Sequence, residues 1–198
     1  DCYLEVLECS KRHGITSVLA LAYNNIGSRY QELRQHQKAI GYFERSADEL
    51  EKVTDTENEN FQIRYLITHM NLMKSYGELD RLDDARKELL KLEKCSQGIV
   101  NEMYRYSYLT LKSRLYWNIG EKDYVYEHLD ELIKGGIDDS NAADYIEDVS
   151  DLCGLLKDMQ EFDKWKRVIL AFEQHAKKQN SIYYEMILNE MWLDYYKE

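Results

Sequence analysis

The chain has 198 residues, no proline and nine glycines, and 44% of its residues are hydrophobic. Because proline is costly inside helices and common in loops, its absence favours an all-helical chain with short turns, and the alternation typical of strands is missing. The net charge of −11 comes from 37 acidic and 26 basic residues. A surface of this sign repels phosphate backbones and argues against direct nucleic-acid binding.

Apolar residues recur at helical spacing from one end of the chain to the other. In chain order, this pattern predicts ten helices over 1–12, 16–33, 36–52, 57–79, 82–95, 98–118, 122–134, 140–157, 161–177 and 180–197. No stretch has the roughly 18 apolar residues of a membrane span, and no signal peptide is recognisable. The four cysteines form no C-x-x-C pair and indicate no small secreted framework. We therefore expect a cytoplasmic protein without membrane insertion.

Gly27 lies in the middle of the second predicted helix, where glycine costs about 1 kcal/mol relative to alanine. A glycine is retained at such a position where another helix comes so close that a Cβ atom would clash. Tyr30 follows one turn later on the same face, and Ala39 and Phe43 continue a second apolar face after a short polar turn. These residues predict two closely packed antiparallel helices over 16–52.

The same arrangement recurs at offsets of 46, 40 and 40 residues, which indicates an internal repeat. The aligned copies are Tyr30, Leu33, Ala39 and Phe43; Tyr76, Leu79, Ala85 and Leu89; Tyr116, Ile119, Val125 and Leu129; and Leu156, Met159, Trp165 and Ile169. Gly27 aligns with Met73, Ser113 and Cys153.

The first copy, with Tyr23, Ile26, Gly27, Tyr30, Ala39, Phe43 and Ser46, resembles the tetratricopeptide repeat family. The second copy resembles it too, through His69, Leu72, Tyr76, Ala85, Leu89 and Leu92, whereas the third and fourth are degenerate. The spacing is longer than the family's usual repeat, and the proline that normally closes each repeat is absent. The resemblance implies an all-α, right-handed superhelical solenoid of antiparallel helix pairs. It would form a single domain over 1–198, with repeats at 16–52, 57–95, 98–134 and 140–177 and partial repeats at 1–12 and 180–198.

In such solenoids the first helix of each pair lines a concave face that binds partners. The family's groove positions correspond to Asn24, Ser28, Gln31, Met70, Asn71, Lys74, Thr110, Arg114, Trp117 and Lys157. Asparagine amides are suited to an extended peptide backbone, and Lys74 and Arg114 to a carboxylate. The alternative is that these polar residues simply solvate a helix. The family's five-residue carboxylate clamp is not reproduced, because only Asn71 matches it.

Catalytic motifs are lacking: the sequence has no P-loop, H-E-x-x-H, G-x-S-x-G or G-x-G-x-x-G. The five histidines share no ligand spacing, and His69 occupies a packing position in its repeat. We therefore expect no enzyme activity, no metal and no cofactor in this segment. Because the chain opens on aspartate rather than methionine and both ends cut a repeat, we also expect it to be a fragment of a longer protein.

The repeat pattern predicts a non-enzymatic, protein- or peptide-binding sensory or regulatory module of a cytosolic bacterial signalling protein. Long-period arrays of this kind resemble the regulatory regions of bacterial proteins that end in a diguanylate cyclase (GGDEF) domain. They also resemble the peptide-sensing regions of helix-turn-helix transcriptional regulators. A further alternative is a self-association scaffold, in which a homodimer forms through the open ends or the convex face.

Overall fold

The computed structural model describes residues 2–13, 15–56, 58–95, 102–137, 146–179 and 181–198. Within these ranges the chain is all-helical and has no strand, and its ten helices overlap the ten predicted ones, which confirms the all-α prediction. The helices are α1 Cys2–His13, α2 Thr16–Glu32, α3 His36–Leu50, α4 Glu59–Glu78, α5 Leu82–Cys95, α6 Glu102–Asn118, α7 Lys122–Ile137, α8 Ile146–Asp158, α9 Phe162–Gln179 and α10 Ile182–Lys197. The helix starts predicted at positions 1, 57, 98, 140 and 180 lie outside the described residues.

The chain divides into two compact units, Asp1–Asn101 and Glu102–Glu198. In the first unit α2 packs against α1, α3 and α4, while α4 also packs against α3 and α5. In the second unit α8 packs against α6, α7, α9 and α10, and α7 and α9 pack against each other. Helix contacts within each unit therefore join helices that are adjacent or next but one in the chain.

Four tight turns share one backbone conformation. Each contains a residue with positive φ, namely Arg34 (55°), Asp80 (55°), Gly120 (88°) and Gln160 (58°). The residue that follows donates its N–H to a carbonyl five residues earlier, as in the 2.8 Å bond from Gln35 to Tyr30. This left-handed ending is the Schellman motif of helix termini. The turns join α2 to α3, α4 to α5, α6 to α7 and α8 to α9, and their spacings of 46, 40 and 40 residues agree with the predicted offsets.

The packing of α2 against α3 explains the glycine in the middle of α2. An ideal Cβ atom at Gly27 would lie 2.6 Å from Cε1 of Phe43, a side chain that is itself completely buried. The predicted close approach of a second helix at this glycine is therefore confirmed. The aligned residues Met73, Ser113 and Cys153 are also buried.

The small and bulky positions of the second helix in each pair form the cores. Ala39 and Phe43 are buried in α3, as are Ala85 and Leu89 in α5. In the second unit the matching residues belong to one apolar cluster; they are Val125, Leu129, Trp165 and Ile169. Each hairpin thus buries the repeated residues of its second helix, whereas Leu33 and Leu79, at the turns, are 66% and 38% exposed.

Candidate functional site

A line of polar side chains, the α2–α4 seam, connects the first helices of the two hairpins in unit one. The seam consists of Ser17, Asn24 and Gln31 on α2 and Arg64, Thr68, Asn71 and Ser75 on α4. The Asn71 amide donates to Asn24 Oδ1 at 3.2 Å. Gln31 Nε2 donates to the Asn71 carbonyl at 3.1 Å and to Ser75 Oγ at 2.8 Å. Three predicted groove residues are therefore brought together, and they bind one another.

Helical periodicity places these residues on facing sides. Ser17, Asn24 and Gln31 follow one another at seven-residue intervals, which is about two helical turns and keeps them on one face. Arg64 Nη1 donates to the Ser17 carbonyl at 2.8 Å, and the bond between Asn24 and Asn71 has the same sequence separation of 47 residues. A constant separation means that α2 and α4 run in the same direction.

The remaining predicted residues of the first unit are Ser28, Met70 and Lys74. Ser28 donates its hydroxyl to the Asn24 carbonyl of its own helix at 3.1 Å. Met70 and Lys74 are half-buried on α4. Close to them in helical position, Leu21 keeps 40% of its surface exposed. The face beside the seam thus combines apolar side chains with a lysine.

In the second unit, charged pairs take the place of the amides. Arg114 on α6 donates to Asp158 at the end of α8, and Ser107 donates to Asp148 at the start of α8. Gly154 makes room for the guanidinium, since a Cβ atom there would lie 2.6 Å from Arg114 Nη2. The predicted residue Arg114 therefore holds α6 against α8.

Lys157 connects α8 to α10 in the same way. Its Nζ lies 2.8 Å from Glu198 Oε1, and this hydrogen bond raises the pKa of the lysine above its ordinary value. The ammonium also lies 6.0 Å from the centre of the Trp165 ring, within the range of a cation–π contact. Lys157 is 35% exposed in its side chain, so it is accessible while it binds both groups.

Thr110 and Trp117 belong to the interior side of α6. Thr110 is 1% exposed and is packed inside the second unit rather than presented to a partner. Trp117 is half-buried against the apolar core. Its outer face is covered by Lys122, whose Nζ lies 4.3 Å from the ring centre. These two predicted groove residues therefore contribute chiefly to packing.

The prediction does not include three of the acceptors, Ser75, Asp148 and Asp158, although the sequence contains a signal for them. Ser75 follows Gln31 by 44 residues, Asp148 follows Ser107 by 41, and Asp158 follows Arg114 by 44. All three intervals fall within the range of the repeat offsets. Each of these partners lies within four residues of the position one repeat period after its donor.

His69 has the structural role that its packing position predicts. It is 2% exposed, and its Nδ1 lies 2.5 Å from Glu88 Oε2 on α5. Burial alone would raise the pKa of Glu88, but hydrogen bonds from His69 and Lys91 outweigh it and hold that pKa below its ordinary value. The Tyr65 ring lies 4.1 Å from the imidazole. The pair thus joins α4 to α5 inside the first unit.

Among the described side chains, no group of three or more histidine, cysteine, aspartate or glutamate residues is arranged to hold a metal ion. No helix in the described part of the chain combines the length and apolar character required to cross a bilayer. No family model matches this sequence, and no curated protein or solved structure matches it either.

Proposed function

We propose that this chain is a non-enzymatic module that binds a protein or peptide on the face formed by α2 and α4. The observation that carries this proposal is the parallel, side-by-side placement of these two helices, held by the α2–α4 seam. Parallel neighbouring helices form an elongated surface that suits an extended chain. Leu21, Met70 and Lys74 would supply apolar contacts and one positive charge to such a ligand.

The larger assignment is a right-handed superhelical solenoid of the tetratricopeptide type, acting as a sensory or regulatory region of a cytosolic bacterial signalling protein. The regular spacing of the four left-handed turns supports the repeat architecture. Control of an attached diguanylate cyclase or helix-turn-helix domain depends on the resemblance of the long repeat period to such regulators.

Random 12-residue peptides displayed on phage and selected against the purified chain test the binding proposal. Peptides that bind should lose about fivefold to tenfold in affinity when Leu21 is replaced by serine, because an exposed apolar contact is removed. Replacing Lys74 with alanine should weaken acidic peptides most, and that loss should shrink at high salt. Fluorescence anisotropy of the synthetic peptides measures both effects.

Leu90 provides the matched control for this experiment. It is 48% exposed, similar to Leu21, but lies on α5, the second helix of its hairpin. Leu90→Ser should leave peptide affinity unchanged. Failure to select any peptide, or an equal loss of affinity in the Leu21 and Leu90 variants, would contradict binding on the α2–α4 face.

A second candidate function, self-association, is favoured by α10. This helix keeps five large apolar side chains at least half exposed, namely Ile182, Tyr183, Met186, Leu193 and Tyr196. Ile182, Met186, Leu193 and Tyr196 recur at helical spacing and fall on one side of the helix. Exposed apolar side chains grouped on one side of a helix are typical of protein–protein contacts, so a second copy of the chain is a chemically suitable partner.

Analytical ultracentrifugation over a range of protein and salt concentrations distinguishes the two candidates. If α10 mediates dimerisation, added salt should strengthen the dimer, because it screens the repulsion between two copies of net charge −11. Met186→Lys should abolish the dimer. Leu170→Lys, at a 43% exposed leucine on α9, should preserve it. A chain that stays monomeric at every concentration would eliminate self-association.

A further inference from the structure

A cavity of about 300 Å³ lies at the N-terminal end of the α2–α4 seam, within the first unit. It is lined by Ser17, Leu50, Val53, Asp55, Asn58, Asn60, Phe61 and Arg64. This volume is at the small end of the range for ligand sites. The lining residues come from the start of α2, the end of α3, the α3–α4 connection and the start of α4.

One side of the cavity is positively polarised. Arg64 is half-buried, and its Nη1 is fixed by the 2.8 Å bond to the Ser17 carbonyl, which orients the rest of the guanidinium. Among the described residues, no carboxylate forms an ion pair with Arg64. The amino-terminal ends of α2 and α4 reach the same cavity, and each carries a partial positive charge. Arginine with such neighbours is suited to bind a carboxylate.

The opposite polarity is supplied by Asp55 and by the carboxyl-terminal end of α3. Asp55 is exposed and lines the cavity, and it forms no ion pair with any described cation, Arg64 included. The carbonyl end of α3 carries a partial negative charge. An ammonium group bound beside Asp55 would therefore be stabilised within the same small volume as a carboxylate beside Arg64.

Apolar side chains complete the lining. Leu50 is almost fully buried, while Val53 and Phe61 are half-buried and contribute apolar surface to the cavity. Phe61 is supported by Tyr65, whose ring centre lies 5.9 Å away. A ligand that fits the whole lining has a negative group, a positive group and a short apolar part.

We propose that this cavity binds a free α-amino acid with an aliphatic or aromatic side chain. The carboxylate pairs with Arg64, the ammonium with Asp55, and the side chain packs against Leu50, Val53 and Phe61. The two charged groups of an α-amino acid are separated by a single carbon, so both can enter one small cavity, whereas the termini of longer peptides are far apart. This site is distinct from the proposed peptide-binding face, so either proposal can fail without the other.

Isothermal titration calorimetry with the whole chain and a panel of L-amino acids tests the proposal. L-Leucine, L-methionine and L-phenylalanine should bind. N-acetyl-L-leucine lacks the ammonium and L-leucinamide lacks the carboxylate, so each should bind at least about tenfold more weakly than L-leucine. The dipeptide Leu-Leu distinguishes a free amino acid from a short peptide and should also bind more weakly.

Three variants locate the site. Arg64→Gln and Asp55→Asn should each weaken L-leucine at least about tenfold, and Arg64→Lys should give an intermediate loss because it keeps the charge without the planar fork. Arg29→Gln is the matched control, since Arg29 is exposed at the other end of α2 and pairs with Glu32. Asp55 is exposed, so its variant tests the site even if Arg64→Gln does not fold.

Specific results would overturn the assignment. Absence of heat with every amino acid at about 10 mM would do so, because that concentration detects even weak ligands. Tighter binding of Leu-Leu than of L-leucine would assign the cavity to peptides instead. Equal affinities in the wild type and the Asp55→Asn variant would place any amino-acid binding elsewhere.

Discussion

Replacing Glu88 with alanine should lower the free energy of unfolding of the first unit by about 2–4 kcal/mol. The carboxylate is 7% exposed and binds the Nδ1 atom of His69, a side chain that is itself 2% exposed. Its removal leaves a buried imidazole without its partner and opens a small void between α4 and α5. Urea denaturation followed by far-ultraviolet circular dichroism measures the loss.

Lys91→Met is the control for Glu88. Lys91 also binds Glu88, with Nζ 3.0 Å from Oε1, but its side chain is 46% exposed. Exposed ion pairs contribute little, so this variant should lose less than about 1 kcal/mol. Similar losses in the Lys91 and Glu88 variants would show that the buried contact with His69 is not the important one.

The Glu88–His69 contact also predicts a pH dependence. Because the folded pKa of Glu88 is lowered from the ordinary 4.5, the unfolded state binds the proton more readily than the folded state. The stabilisation is therefore fully present above pH 4.5 and is lost as the pH falls towards the lower folded value. The difference in unfolding free energy between wild type and Glu88→Gln should shrink over that window; a difference independent of pH would contradict the assignment.

Replacing Gly27 with alanine should cost about 1–3 kcal/mol, although alanine is the better helix former. The new methyl group would meet the ring of Phe43 at 2.6 Å, and Phe43 has no exposed surface towards which it can move. Either α2 and α3 must separate or the ring must leave its preferred rotamer. Urea denaturation of the single variant gives the size of the effect.

Two comparisons isolate the clash at Gly27. Gly41 lies inside α3 with no atom within 4 Å of an added Cβ, so Gly41→Ala should stabilise the chain by about 0.5–1 kcal/mol. Combining Gly27→Ala with Phe43→Leu should cost less than the sum of the single variants, because the smaller side chain relieves the contact. Strict additivity would mean that the two residues do not interact.

Tryptophan fluorescence adds information about where the chain unfolds. The three tryptophans, Trp117, Trp165 and Trp192, all lie in the second unit. Circular dichroism reports on both units, whereas fluorescence reports on Glu102–Glu198 alone. If the Gly27 variant shifts the circular dichroism transition and leaves the fluorescence transition in place, the two units unfold independently.

The helices and their packed faces could be predicted because they depend on local periodicity. The size and spacing of Gly27, Ala39 and Phe43 indicate two closely packed helices. The structure places these residues in contact or in the core. The left-handed turns at Arg34, Asp80 and Gln160 could not be predicted by residue type, since none of them is glycine. There the packing of two helices overrides the preference of the residue.

The candidate site was less predictable for a different reason. Groove positions identify which face of a helix a residue occupies, but not whether a neighbouring helix supplies its hydrogen-bond partner. Asn24 and Arg114 have the chemistry of peptide recognition, yet each finds its partner one repeat later, at Asn71 and Asp158. The cavity beside Arg64 is assembled from four separate segments. No local sequence pattern predicts that these segments meet.

The polar bonds between the first helices of neighbouring hairpins also fix the register in which these hairpins pack. Apolar ridges allow two helices to slide by a turn at small cost, whereas a hydrogen bond is satisfied at one offset only. The first unit uses neutral amides, as between Asn24 and Asn71, and the second uses charged pairs, as between Arg114 and Asp158. A hairpin transplanted from one unit to the other would leave a guanidinium or a carboxylate without its charged partner, so these contacts favour the native order of the hairpins within each unit.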